Sequence, residues 1–100
     1  MIVINGRLPI RPETRDRAIA AIATLTTATR AETGCAEYTF SADLADPSVF
    51  YFFERWESEE ALKAHGKAAH MAEFMAVAAD LVAGAASATR YDISGSVPLF

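Results

Sequence analysis

Val49-Phe50-Tyr51-Phe52-Phe53-Glu54-Arg55-Trp56 (VFYFFERW, residues 49–56) is the most aromatic stretch of the chain. Side chains along a strand point alternately to its two faces, so Val49, Tyr51 and Phe53 share one face and Phe50, Phe52 and Trp56 the other. A strand that is apolar on both faces is covered on both. Helices of the same chain supply one cover. A chain of 100 residues has no second layer to spare, so the other cover is expected from a second copy, and a homodimer follows.

Outward from that strand the punctuation is regular. Upstream, Asp43 to Ser48 (DLADPS) carries the Asp, Pro and Ser residues of a turn. Before it, Cys35 to Ala42 reads as a strand, with Ala36, Tyr38 and Phe40 on one face and Cys35, Glu37 and Thr39 on the other. Gly34 is a natural left-handed stop for a helix that begins near Pro12 and ends near Ala31. Ile19, Ile22, Ala23 and Thr26 recur there at helical spacing, while Arg15, Arg17 and Arg30 face water. The first strand, Ile2 to Ile10, sets Ile2, Ile4 and Leu8 against Val3, Asn5 and Arg7, and Pro9 and Pro12 end it.

Downstream, Ser58 is an N-cap, with Glu59 and Glu60 in the first turn where the helix dipole favours them. A short helix runs to about His65, Gly66 breaks it, and a second helical stretch spans Ala68 to Ala83. Its apolar stripe is Met71, Phe74, Met75, Ala78 and Leu81/Val82. Gly84 closes it, Ala88 to Ile93 forms the last strand, and Ser94 to Phe100 is a short tail. The order is βαββαβ. It predicts an α+β fold of the ferredoxin-like kind, a four-stranded antiparallel sheet with the helices on one face. Two such sheets packed face to face make a dimeric α+β barrel.

Composition bounds the function. One domain, residues 1–100, is expected. Hydrophobic residues make up 52% and charged residues 22%, a globule rather than a disordered segment. The net charge of −4 comes from 9 Lys+Arg against 13 Asp+Glu, and the arginines are dispersed, so no basic face for nucleic acid is readable. The apolar run of MIVINGRLPIRP is too short for a signal peptide or a membrane span. Cys35 is the single cysteine, which rules out an internal disulfide and points to a reducing, cytoplasmic setting.

The chemistry-bearing residues are few. His65 and His70 stand five apart, where ligands on one helical face stand three or four apart, and no cysteine or paired carboxylate completes a set, so no metal site is expected. The glycines form no phosphate-binding pattern, and Cys35 reads as a small buried strand residue. His65 follows Ala61 and Leu62 on the inward stripe and is the candidate acid/base, aimed at a pocket walled by Tyr38, Tyr51, Phe53 and Phe74. His70 lies just past the break and is either a further pocket residue or a solvent-facing one. Asn5 is either an outward surface residue or an amide that bonds a ligand oxygen. Glu54 is expected to pair with an arginine, within the chain or across the dimer.

Two motifs carry a resemblance. Glu32-x-Gly34-Cys35-x-x-Tyr38 is followed by Glu54-x-Trp56-x-Ser58-x-Glu60-Ala61-Leu62-x-x-His65, then His70 and Phe74. Together they resemble the antibiotic biosynthesis monooxygenase family, over about residues 2 to 93. The resemblance implies a dimeric α+β barrel that oxygenates quinols or anthrone-like phenols with O₂ and no metal or flavin. It implies catalytic roles for His65 and Asn5, with Tyr38, Phe53, Trp56 and Phe74 as walls of an aromatic-substrate pocket. Haem-degrading relatives use a first-strand Asn with a Trp and a ligating His. Here His65 stands near that Trp position and Phe74 or Met75 near that His, so haem is not expected. The same resemblance leaves open a non-catalytic ligand-binding dimer and an isomerase.

Overall fold

Residues 1–100 are all described by a computed structural model. The strands are β1 (Ile2–Pro9), β2 (Cys35–Ala42), β3 (Val49–Trp56) and β4 (Ser87–Asp92). The helices are α1 (Arg15–Arg30), α2 (Glu59–Gly66) and α3 (Ala69–Leu81). The strands form one antiparallel sheet in the order β2-β3-β1-β4, the ferredoxin-like arrangement. The helix read from Pro12 begins as a 3-10 turn over Pro12–Thr14 and becomes α-helical only at Arg15. Such turns are common at helix N-termini. No helix is long and apolar enough to cross a membrane.

Strand alternation divides the molecule. Ile2 and Leu8 of β1, Tyr38 of β2, and Phe50 and Trp56 of β3 turn toward the helices and are buried. They close into two adjoining clusters, one with Ile10, Ala18, Ile22 and Leu81 and one with Leu25. Across β1 and β3, Asn5 pairs with Phe53 and Arg7 with Tyr51. These residues belong to the opposite face, which no helix covers, and every residue of β4 is exposed. The solvent-accessible surface is 6272 Å². A compact monomer of 10.8 kDa exposes about 5,500 Å², so the lone chain carries a surplus of about 700 Å².

Gly34 ends the α1–β2 turn with φ +82°, the left-handed region. A Cβ there would stand 2.5 Å from Ala61 Cβ on α2. Gly34→Ala is therefore expected to cost about 2–4 kcal/mol, from backbone strain plus overpacking. Urea unfolding monitored by circular dichroism checks this, with Gly66→Ala, whose added Cβ meets nothing within 4 Å, as the near-neutral control.

Candidate functional site

Between the sheet and the helices lies a cavity of about 560 Å³, large enough for a small aromatic molecule. Its sheet wall is Ile4, Leu8, Tyr38, Phe40, Phe52 and Glu54; its helical wall includes Leu62, His65, Met71 and Phe74. The lining is almost wholly apolar. Three groups interrupt it: the Tyr38 phenol, the Glu54 carboxyl and the His65 imidazole.

Local sequence explains why His65 arrives there. Ser58 Oγ accepts a hydrogen bond from Ala61 N at 3.1 Å and starts α2. Two turns later His65 falls on the inward stripe and is only 4% exposed. Its ring lies 4.7 Å from the Trp56 ring, tilted by 34°, and 5.4 Å from Tyr38, edge-on at 64°. Its Nδ1 is 2.7 Å from Glu32 Oε2. Nε2 has no partner within the chain and is the ring nitrogen left for a ligand in the cavity.

Glu54 is 7% exposed. The Trp56 indole N–H donates to its Oε1 at 2.9 Å. Burial pushes its carboxyl above the usual glutamate range, while the Trp56 bond and the nearby His65 pull the other way. Burial likewise holds the Tyr38 phenol protonated well beyond its ordinary range. Because the folded value of Glu54 is raised, its contribution to stability is complete at acid pH and is lost as pH rises through the folded value. Wild type is thus expected to lose more stability than Glu54→Gln between about pH 4 and pH 7, read from urea midpoints across that range.

Glu32 sits on the α1–β2 turn and bridges two helices. Its Oε2 is 2.7 Å from His65 Nδ1 and 2.8 Å from His70 Nε2. The three residues bring one carboxylate oxygen and two ring nitrogens within 4.8 Å of one another, the donor count of a two-His, one-Glu metal centre. Ligand atoms around a tetrahedral zinc stand about 3.4 Å apart, given bonds of about 2.0–2.1 Å. The two Glu32–histidine spacings here are shorter and are those of charge-assisted hydrogen bonds.

The family model for antibiotic biosynthesis monooxygenases matches residues 1–77, from β1 into α3. The chain belongs to that family. The Synechocystis sp. (strain ATCC 27184 / PCC 6803 / Kazusa) protein sll1783 is 32% identical over 93 residues, which is 93% of this chain but 63% of that protein. This monooxygenase-family chain thus spans under two thirds of that relative's length. "Putative monooxygenase YcnE" of Bacillus subtilis (strain 168) is 29% identical over 94 residues, 94% of this chain and 99% of its own. Rv0793 from Mycobacterium tuberculosis superposes with a TM-score of 0.88 at 25% identity, covering 97% of this chain and 98% of that one. A crystal structure of an antibiotic biosynthesis monooxygenase superposes with a TM-score of 0.87 at 26% identity, over 98% of this chain and 100% of that one.

The monooxygenase-family fold brings together only part of the residue set expected from sequence. His65, Tyr38 and Phe74 line the cavity. Trp56 stands behind its wall, fully buried, supporting His65 and Glu54. Asn5, Tyr51 and Phe53 do not reach it. They stand across the sheet, where Asn5 and Tyr51 border a separate shallow polar depression. The Tyr51 hydroxyl donates to Asp43 Oδ2 at 3.0 Å. His70 is half-buried and bound to Glu32 rather than facing the cavity. Cys35 is half-buried and burial raises its thiol, the reverse of nucleophile activation. Glu54 pairs with no arginine of its own chain; it faces the helices in phase with Phe52 and Trp56. Sequence reasoning missed Glu54 and Glu32 as site residues, although that phase pointed to the first and the Glu-x-Gly-Cys motif contains the second.

Proposed function

We propose that this chain is a cofactor-independent monooxygenase that oxidises a quinol-like or polyphenolic aromatic with O₂, working as a homodimer in the cytoplasm. The observation that carries the reading is an apolar, aromatic-lined cavity whose wall carries the His65 imidazole and the Glu54 carboxyl. Family membership supports the reaction class.

The chemistry balances without an outside reductant. A quinol and O₂ give a hydroxyquinone and water, all four electrons coming from the substrate. His65 Nε2 takes the proton of a substrate hydroxyl, and the resulting anion passes an electron to O₂. Carbon–oxygen bond formation gives a peroxide, whose O–O bond then breaks. One oxygen stays on the ring and the other leaves as water. Glu54, whose carboxyl burial pushes above the usual glutamate range, is the nearby group for the departing oxygen. The apolar walls exclude water and strengthen each polar contact with the anion.

The test is oxygen uptake by metal-stripped protein over a panel of quinols and anthrones. Uptake with a matching hydroxyquinone from a quinol, or a quinone from an anthrone, supports the proposal; a plain quinone with hydrogen peroxide from a quinol counts against it. Binding without uptake makes the chain a ligand-binding protein, and conversion without uptake makes it an isomerase.

The dimer rests on the sheet face that carries Asn5, Tyr51 and Phe53, and on the surplus surface, which is close to the roughly 800 Å² each partner buries in a standard interface. Phe53→Asp, at a 36% exposed position, is expected to shift the chain from dimer to monomer in sedimentation velocity at micromolar concentration.

A further inference from the structure

Resting on the reading of His65 as the base, we infer that Glu32 and His70 are positioning residues that decide which nitrogen of His65 carries the proton. Neither is itself among the residues that line the cavity. Both act through a single oxygen atom, Glu32 Oε2, which lies 2.7 Å from His65 Nδ1 and 2.8 Å from His70 Nε2.

A carboxylate has only acceptors, so each ring must present an N–H to it. His65 therefore carries its proton on Nδ1. The lone pair is left on Nε2, on the side where a substrate hydroxyl would approach. Free neutral histidine in water prefers the opposite form, protonated on Nε2, which could only donate into the cavity. The Glu32 bond thus reverses the default and turns the ring from a donor into a base. His70 fixes the carboxylate itself. Glu32 sits on a turn, and a single bond to His65 would leave its side chain free to rotate. The second donor, delivered from the first turn of α3, pins the same oxygen from another direction. Three elements, the α1–β2 turn, α2 and α3, thereby meet at one atom. The side chains of Glu32 and His65 are 14% and 6% exposed, so water competes little for the bond.

The test needs no substrate. Nitrogen-15 spectra of histidine-labelled protein, recorded where His65 is neutral, report the tautomer directly. A hydrogen bond to a charged group biases such an equilibrium by about tenfold or more, so His65 of the wild type is expected almost wholly as the Nδ1–H form. Glu32→Gln, whose amide donates as well as accepts, is expected to cut that bias at least about tenfold. His70→Phe is expected to lower it partly, and His70→Gln, which restores an N–H donor, to recover it. His65 protonated on Nε2 in the wild type overturns the inference, as does a bias unchanged in Glu32→Gln. One equivalent of zinc bound through His65 Nδ1 and His70 Nε2 also overturns it, since the cluster would then be a cation site. The wild-type signature without oxygen uptake over the quinol panel would instead strike the oxygenase reading and leave the positioning standing.

Discussion

His65→Ala is expected to lower O₂-dependent turnover by about 10²–10⁴-fold, the usual span for loss of a positioned acid/base group, while the chain still folds and still binds aromatic ligands. The expectation follows from what surrounds the ring. Trp56 and Tyr38 pack against it and Glu32 holds one nitrogen, so the remaining nitrogen is the one without a partner in the chain. The substitution removes that atom and enlarges the cavity without disturbing its other walls. An oxygen electrode reads the turnover, and quenching of the single tryptophan, Trp56, by a bound quinone reads the binding. Turnover within a few-fold of wild type would remove His65 from the chemistry and leave Glu54 as the one candidate. Loss of binding together with turnover would show that the ring shapes the site instead.

Trp56→Ala is expected to carry the largest stability cost. The side chain is 0% exposed and belongs to the cluster of Ile2, Leu25 and Tyr38. Truncating such a residue costs about 3–5 kcal/mol. It also strips Glu54 of its one donor, for about 1–3 kcal/mol more. Domains of this size hold only about 5–15 kcal/mol in total, so the variant stands at the edge of unfolding. Trp56→Phe keeps most of the bulk and loses mainly the indole N–H, and is expected to cost clearly less. Urea midpoints from far-ultraviolet circular dichroism, at one protein concentration for all variants, give the comparison. Equal costs for the two variants would mean that the Glu54 bond, rather than packing, holds this corner.

How much of this was legible in the sequence depends on which physical signal carried it. The strands were legible because alternation is a property of one strand at a time: Ile2, Ile4 and Leu8 against Val3, Asn5 and Arg7 appears in both sequence and structure. The helix ends were legible where chemistry marks them, at Ser58 and Gly34. The same alternation separates Tyr51 and Phe53 from Phe52 and Trp56, so their absence from the cavity follows from parity once the strand's inward side is known. Glu54 was legible by parity too, but a charged residue between aromatics reads more readily as half of an ion pair. The Glu32–His65–His70 cluster was not legible from spacing. His65 and His70 lie on different helices, because Ala68 takes an extended conformation between them and resets the helical phase. A count of five along the chain therefore says nothing about their distance, and Glu32 lies more than thirty residues away from both.

The division of β3 into two sides has a consequence for how such a protein can diversify. Positions 52 and 54 line the cavity and 50 and 56 pack on the same side beneath the helices, while 51 and 53 stand on the face proposed for the dimer. Drift at one set leaves the other intact, so on the proposed reading descendants could change ligand and keep the dimer, or the reverse, by point substitution alone. A one-residue insertion within the strand would do neither. It would exchange the two roles along its whole length and destroy both together.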